Sequence, residues 1–295
     1  VEELMSTEKL SESFLELIRR ASTTLPPDVE EAMTRAIELE GEGASAASSL
    51  GLMLENARQA SEGSTPICQD TGALLFFVEC GPDYRQKDIE AAANQATIAA
   101  TENYYLRPNA VDSVTGKNSG NNLGTGFPYF HFDQRDEPGL RVRLMLKGGG
   151  SENVGAQYKL PDSNLGAGRD MEGVRRCVID AVYNAQGKGC APGVVGVGIG
   201  GDRGTSFMCS KEQLLRSLDD TNADPTLAEM ETQLFEELNQ LGIGPSGFGG
   251  KTTVLGVKMG KMHRLPACFF VSISYVCWAY RKATMTVEGG EVKYD

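Results

Sequence analysis

Gly189-Cys190-Ala191-Pro192-Gly193-Val194-Val195-Gly196-Val197-Gly198-Ile199-Gly200-Gly201 is the stretch on which the fold turns. Its first four residues form a turn, and the valine-rich run 194–199 is too short for a helix and too β-branched to favour one. A strand this apolar belongs in the middle of a sheet, and it opens directly onto a glycine pair. The same coupling of a strand to a polar turn recurs twice. Cys68-Gln69-Asp70-Thr71-Gly72 leads into the apolar run 73–78, and the run 140–146 ends in Lys147-Gly148-Gly149-Gly150-Ser151-Glu152-Asn153. Residues 127–132, 252–257 and 269–276 read as further strands.

Helical periodicity fills the intervals. Leu10, Phe14, Leu17 and Ile18 lie on one face of a first helix, with Ser6 and Thr7 as capping residues. Pro26 and Pro27 start a second helix through Ala32, Ala36 and Ile37, and a third is predicted over 45–60. Further helices are predicted over 86–105, 171–186 and 227–241. The sum is an α/β fold, a mixed sheet with an N-terminal helical layer over residues 1–62. With no internal repeat and no low-complexity linker, one domain is expected over 1–295.

Composition narrows the function. Forty acidic against twenty-eight basic residues leave a net charge of −12, which repels nucleic acid over most of the surface. A small dicarboxylate is still admissible, because a local pocket of Arg, Lys and backbone N–H groups acts within about 10 Å. The most apolar run, 268–280, is too short to span a membrane and contains Ser272 and Ser274. Seven cysteines without a CxxC pair point to a reducing compartment, the cytoplasm or an organelle matrix, and the opening Val1 is compatible with a removed leader.

Two glycine motifs suggest nucleotide binding. Gly196, Gly198 and Gly201 match the dinucleotide fingerprint, but the first helical pattern after them starts only near Cys209, too late for a helix born in the glycine turn. Gly250-Lys251-Thr252 ends like a phosphate loop, yet the required leading glycine is Pro245 and a strand follows. His131 and His263 are the only histidines, so a multi-histidine zinc site is excluded. His131 reads as an ordinary strand residue.

The cysteines divide by surroundings. Cys80, Cys177, Cys209 and Cys268 sit in apolar or helical patterns and read as small buried hydrophobes. Cys68, Cys190 and Cys277 sit in strand-end turns, where thiolates can converge, although their wide separations match no local zinc or ferredoxin spacing.

Five ordered tracts, Cys68-Gln69-Asp70-Thr71-Gly72, Lys147 to Asn153, Gly189-Cys190-Ala191-Pro192, Gly196 to Gly201 and Cys277-Trp278-Ala279, give the chain a resemblance to the alpha subunit of class I fumarate hydratases and L-tartrate dehydratases. The resemblance implies an iron-sulfur hydro-lyase alpha-subunit fold. It also implies a 4Fe-4S cluster on Cys68, Cys190 and Cys277, with the fourth iron lacking a protein ligand. Such an iron is a Lewis acid for a carboxylate, a hydroxyl and water. The other half of the chemistry is proton removal beside a carboxylate, which needs a positioned base and cationic or N–H donors. The resemblance places Gln69 and Asp70 at the substrate, with Asp70 in proton transfer. Arg107 suits a carboxylate through its planar fork, and Gly149 and Gly150 offer unobstructed backbone N–H groups.

The family carries a histidine just before the proline that precedes the last cluster cysteine, where this chain has Leu265 before Pro266; His263 lies two residues earlier. The resemblance further implies a separate beta subunit completing the active site, and an alpha2-beta2 heterotetramer. Fumarate and malate are the expected substrate pair, with tartrate or mesaconate as alternatives. On residues alone, an iron-sulfur electron-transfer or sensor protein and a nucleotide-binding oxidoreductase compete with this reading.

Overall fold

The computed structural model describes residues 5–295; the first four residues of the expected 1–62 layer lie outside it. In chain order the elements are α1 (Thr7–Thr23), α2 (Pro27–Glu40), α3 (Ser45–Gly63), β1 (Ala73–Cys80), α4 (Gln86–Glu102), β2 (Tyr129–Gln134), β3 (Leu140–Lys147), α5 (Gly149–Asn153), β4 (Ala156–Lys159), α6 (Met171–Ala185), β5 (Gly193–Ile199), α7 (Arg203–Gln213), α8 (Pro225–Asn239), β6 (Val254–Lys261), β7 (Phe270–Val276), β8 (Arg281–Glu288) and β9 (Glu291–Tyr294). The α/β class holds, with the strands divided between two mixed sheets. Two compact units result. Among the described residues, one comprises residues 5–26, 55–148 and 281–295, the other 27–54 and 149–280.

The first unit holds the sheet β2-β1-β3-β8-β9, in which β1 and β2 run parallel and the other neighbours antiparallel. Leu10, Phe14, Leu17 and Ile18 of α1 join Ile89, Ala92, Ala93 and Ala96 of α4 in one core with Leu74, Phe76 and Val78 of β1. These strand residues are spaced by two and therefore share a face. Phe76 is the hinge of that core. It meets Phe14 edge-on at 5.7 Å between centroids and stacks on Phe130 at 5.0 Å. Truncating a ring packed like Phe14 or Phe76 costs about 3–5 kcal/mol. Ser6 caps α1 as expected, its Oγ accepting from the Lys9 N–H at 3.3 Å.

The second unit holds the sheet β4-β7-β5-β6, with β5 and β6 parallel and β7 antiparallel to β5. All seven residues of β5 are buried, as the opening stretch requires. One departure matters. The helix expected near Cys209 begins at Arg203, where Asp202 and Thr205 form a reciprocal capping box. Polar Thr205, Ser206 and Ser210 hide the helical pattern, yet both serines are buried, the Ser206 hydroxyl receiving the Ser272 hydroxyl at 2.8 Å and Ser210 meeting Ser274 at 2.7 Å. Among the described residues, no helix is long and apolar enough to cross a membrane.

Candidate active site

In the first unit, register gathers three strand ends. Ala73, which opens β1, pairs with Lys147, which closes β3, and Leu146 beside it pairs with Arg281, which opens β8. The tract 68–72 enters β1 at this edge without helix or strand structure of its own, so its shape depends on bonds from elsewhere. Its carbonyls supply them. Asn56 donates to Ile67 O at 2.8 Å, Arg107 Nη1 to Gln69 O at 3.3 Å and Asn109 Nδ2 to Gly72 O at 3.2 Å, while Arg281 Nη1 donates to Asp70 O. Asp70 Oδ1 accepts from the Gly72 N–H at 3.1 Å, closing a local turn. Gly72 has φ +79°, and a Cβ there would lie 2.6 Å from the Lys147 carbonyl carbon. Only glycine combines that conformation with that approach.

Arg107 is exposed at its mouth. Its N–H donates to Thr71 Oγ1 at 3.0 Å, and Asn122 Nδ2 donates to its carbonyl at 2.8 Å. The expected helix 86–105 stops at Glu102, and the long loop that follows is pinned through Asn109 and Asn122, whose Oδ1 accepts from the Asn109 N–H at 2.7 Å. Asparagine side chains, each donor and acceptor, replace secondary structure here.

In the second unit, antiparallel pairing of Val194 with Val276 puts the start of β5 and the end of β7 at one edge. Cys190 precedes the first and Cys277 follows the second. Cys190 is exposed and left-handed at φ 57°, its N–H donating to Gly187 O at 3.0 Å, and the Trp278 N–H donates to Cys190 O at 3.3 Å. Cys277 is buried. The Tyr275 ring lies against the turn that carries Cys190, where a Cβ on Gly189 or Gly193 would meet it at 2.6 Å and 2.3 Å. Burial, with the charges of Cys277 and Cys190 adding to it, pushes the Tyr275 hydroxyl well above the usual phenol range. Gly149 and Gly150 open α5 and are exposed.

Gln69, Asp70 and Arg107 thus meet in one unit and Cys190 and Cys277 in the other, while Cys68, half-buried, belongs with the first set. Among the described residues, no three His, Cys, Asp or Glu side chains approach closely enough to hold a single metal ion. Ligands of a cluster each bind a different iron and lie farther apart than ligands of one ion. Soft thiolates at turns, two of them at one sheet edge, are the donor set an iron-sulfur cluster takes. Cys80, Cys177 and Cys209 are buried as expected, and Cys268 is half-buried. His131 lies on β2 with its ring 4.9 Å from Phe77; His263 and Leu265 are exposed in the loop after β6.

Two buried cations at the strand ends of the first unit escaped the sequence reading. Lys147 is 3% and Arg281 1% exposed. Each had a signal: Lys147 ends an apolar strand before three glycines, and Arg281 occupies the inward series of β8 with Ala283, Met285 and Val287.

Both nucleotide-like motifs are closed by carboxylates of the chain itself. A Cβ on Gly196 or Gly198 would meet Ser210 O at 2.1 Å or Ser206 O at 2.2 Å, so these glycines serve the packing of α7 on β5. The helix N-terminus that would face a phosphate is capped by Asp202, whose Oδ1 accepts from the Thr205 N–H at 2.8 Å. In Gly250-Lys251-Thr252, the Glu40 carboxylate accepts from the Lys251 and Thr252 N–H groups at 2.9 Å and 2.7 Å. A phosphate would find the donors taken and a negative charge in place.

Comparison with known proteins gives the family. The family model described as fumarate hydratase (Fumerase) matches residues 11–286. A Geobacillus stearothermophilus protein provisionally named a class I fumarate hydratase is 48% identical over 284 residues, covering 95% of this chain, which spans 55% of that protein's length. A Methanocaldococcus jannaschii protein provisionally named an L(+)-tartrate dehydratase subunit alpha is 34% identical, with 95% of this chain and 98% of the relative covered. The L(+)-tartrate dehydratase subunit alpha of Escherichia coli is 32% identical over 95% of this chain and 91% of its own length. The match over nearly the whole chain, together with relatives at these identities, means that this chain belongs to the fumarate hydratase family, whose named members are hydro-lyases.

Proposed function

We propose that this chain is the alpha subunit of a 4Fe-4S-dependent hydro-lyase that reversibly hydrates fumarate to malate. The observation that carries the reading is the clustering of Asp70, Gln69 and Arg107 at one strand mouth and of Cys190 and Cys277 at another, all within the residues 11–286 that the family model matches.

In this reading Cys68, Cys190 and Cys277 hold the cluster. When bound, it supplies a Lewis-acidic iron with an open position for water and a substrate oxygen. The chain's own residues do the rest. Arg107, exposed and braced against Gln69 O, grips one substrate carboxylate, Gln69 donates a further hydrogen bond, and the Gly149 and Gly150 N–H groups face the developing charge. Asp70 moves the proton at the carbon beside the carboxylate. A beta subunit completes the pocket, with two copies of each chain in a cytoplasmic or matrix assembly. Fumarate leads because the relative at 48% identity carries that name. A second reading, an L-tartrate dehydratase alpha subunit, is favoured by the near-complete coverage of two relatives so named, and mesaconate is a further alternative.

The test is anaerobic reconstitution with iron and sulfide, addition of the beta subunit, and assay of fumarate, tartrate and mesaconate turnover beside Cys68→Ser. Fumarate hydration lost in that variant is the expected result; hydration that survives it overturns the catalytic cluster.

A further inference from the structure

We infer that Arg281 is the positioning residue of the reaction, fixing the main chain at Asp70 so that its carboxylate and the neighbouring Cys68 and Gln69 keep their reactive placement. The inference rests on the functional reading above and deepens it.

Four long-range side-chain donors, Asn56, Arg107, Arg281 and Asn109, hold carbonyls of residues 67–72, and Arg281 holds the carbonyl of Asp70 itself. A second bond on that residue, from the Gly72 N–H to Oδ1, is local and orients the side chain relative to the turn. The tie from Arg281 orients the turn relative to the sheet. An ideal Cβ on Gly148 would lie 2.9 Å from Asp70 Oδ2 and 3.3 Å from Arg281 Nη2, so this glycine admits both side chains to the same small space.

Arg281 is a costly way to fill a core position. It is 1% exposed in a series otherwise made of Ala283, Met285 and Val287, and its Nε–H has no hydrogen-bond partner among the described residues. Burying a guanidinium with an N–H left unmatched opposes folding, and a methionine of similar volume would pack there without that cost. Stability therefore does not explain the residue. Its planar fork does: it reaches from the first residue of β8 to a carbonyl on the tract before β1, across the end of β3, which lies between those strands. A rigid donor at that point sets where the Asp70 carboxylate stands, and displacement of a reacting group by about 1 Å costs about 100-fold in rate.

The experiment compares the parent, Arg281→Met, Arg281→Lys and Arg107→Met in the reconstituted complex, and follows amide exchange at residues 68–72 in the full chain without cluster. Arg281→Met is expected to lower kcat about 100-fold with KM within about threefold of the parent, whereas Arg107→Met raises KM. Arg281→Lys, which keeps a donor and the charge, should regain about tenfold of the lost kcat. Both Arg281 variants should exchange faster at Gly72. If Arg281→Met does not fold, Arg281→Lys still decides, by a lowered kcat at parental KM and faster Gly72 exchange. Folded variants with parental kcat and parental exchange overturn the inference. A parent complex that hydrates none of the dicarboxylates overturns the functional reading instead, and the Gly72 exchange comparison then judges the role of Arg281 separately.

Discussion

Two glycines on either side of the Asp70 turn should respond to the same substitution in opposite ways. In Gly72→Ala the new Cβ falls 2.6–2.9 Å from the backbone N, C and O of Lys147, and the residue keeps φ +79°. A left-handed alanine costs about 1–2 kcal/mol, and overpacking against a strand backbone that cannot yield adds about 1–3 kcal/mol. The stiffer unfolded chain returns about 0.4–1 kcal/mol, leaving a net loss of about 1–5 kcal/mol. In Gly148→Ala the first obstacle is Asp70 Oδ2, the end of a side chain, at 2.9 Å, and Arg281 Nη2 at 3.3 Å is also a side-chain tip. Both can yield by a few tenths of an ångström, so stability should fall by less than about 1 kcal/mol. The carboxylate that yields is the proposed proton carrier, and kcat should drop about tenfold. Urea titration followed by far-UV circular dichroism gives the first quantity and steady-state hydration the second. Equal losses of stability in the two variants, or a Gly148→Ala enzyme with parental kcat, would refute the reasoning.

Three further outcomes follow from single contacts. Glu40→Ala removes the acceptor of the buried Thr252 N–H and should destabilise by about 2–3 kcal/mol, read by the fluorescence of Trp278, the sole tryptophan and a member of the same unit. Burial pushes the Cys177 thiol up to about 12 and the Cys209 thiol up to about 11 from a reference of 9.0. Because these folded values are raised, their contribution is complete below about pH 9 and lost as pH rises toward 11–12. The urea midpoint should therefore fall between pH 8.5 and 10.5, and fall less in a Cys177→Ala, Cys209→Ala double variant; an equal fall in both would exclude the thiols as its source. Arg107→Met should raise KM for the dicarboxylate about 10- to 100-fold while leaving the melting temperature near the parent's, since the guanidinium is exposed.

The strands most legible in the sequence are those buried on both faces, such as β5 and β1, because a short β-branched or aromatic run between turns has few other readings. The C-terminal hairpin of β8 and β9 was not read, though Gly289-Gly290 joins it, because its outward positions carry Lys282, Thr284 and Thr286 and its apolar positions are spaced by two in a short polar segment. Missing β8 hid Arg281, whose meaning depends on its facing inward. The two units were equally hidden. Each is assembled from separated segments, and beyond the crossing at the start of α2 the chain changes unit inside α3, inside the triple-glycine tract and just past Ala279. Of the site, the ordered motifs conveyed the residue types, while distances along the chain said nothing of which would meet. Sheet register decides that, by making the start of β1, the end of β3 and the start of β8 one place.

Register also explains why so many glycines accumulate where the chemistry is proposed. A strand end that must admit an approaching backbone, a guanidinium and a carboxylate has no room for a Cβ, as Gly72 and Gly148 show. The same need arises wherever a helix lies hard against a strand, as at Gly196 and Gly198 under α7. Glycine spacing therefore reports close approach without naming what approaches. In the two nucleotide-like motifs the approaching groups are Ser210 O, Ser206 O, Asp202 and Glu40, all supplied by the chain. At the Asp70 mouth they include a buried cation and exposed Arg107, charges suited to a small dianion that the overall charge of −12 would otherwise repel. In the proposed reading, the glycine turn at Asp70 differs from the two nucleotide-like ones in having cations, Arg281 and Arg107, beside it as well as a carboxylate.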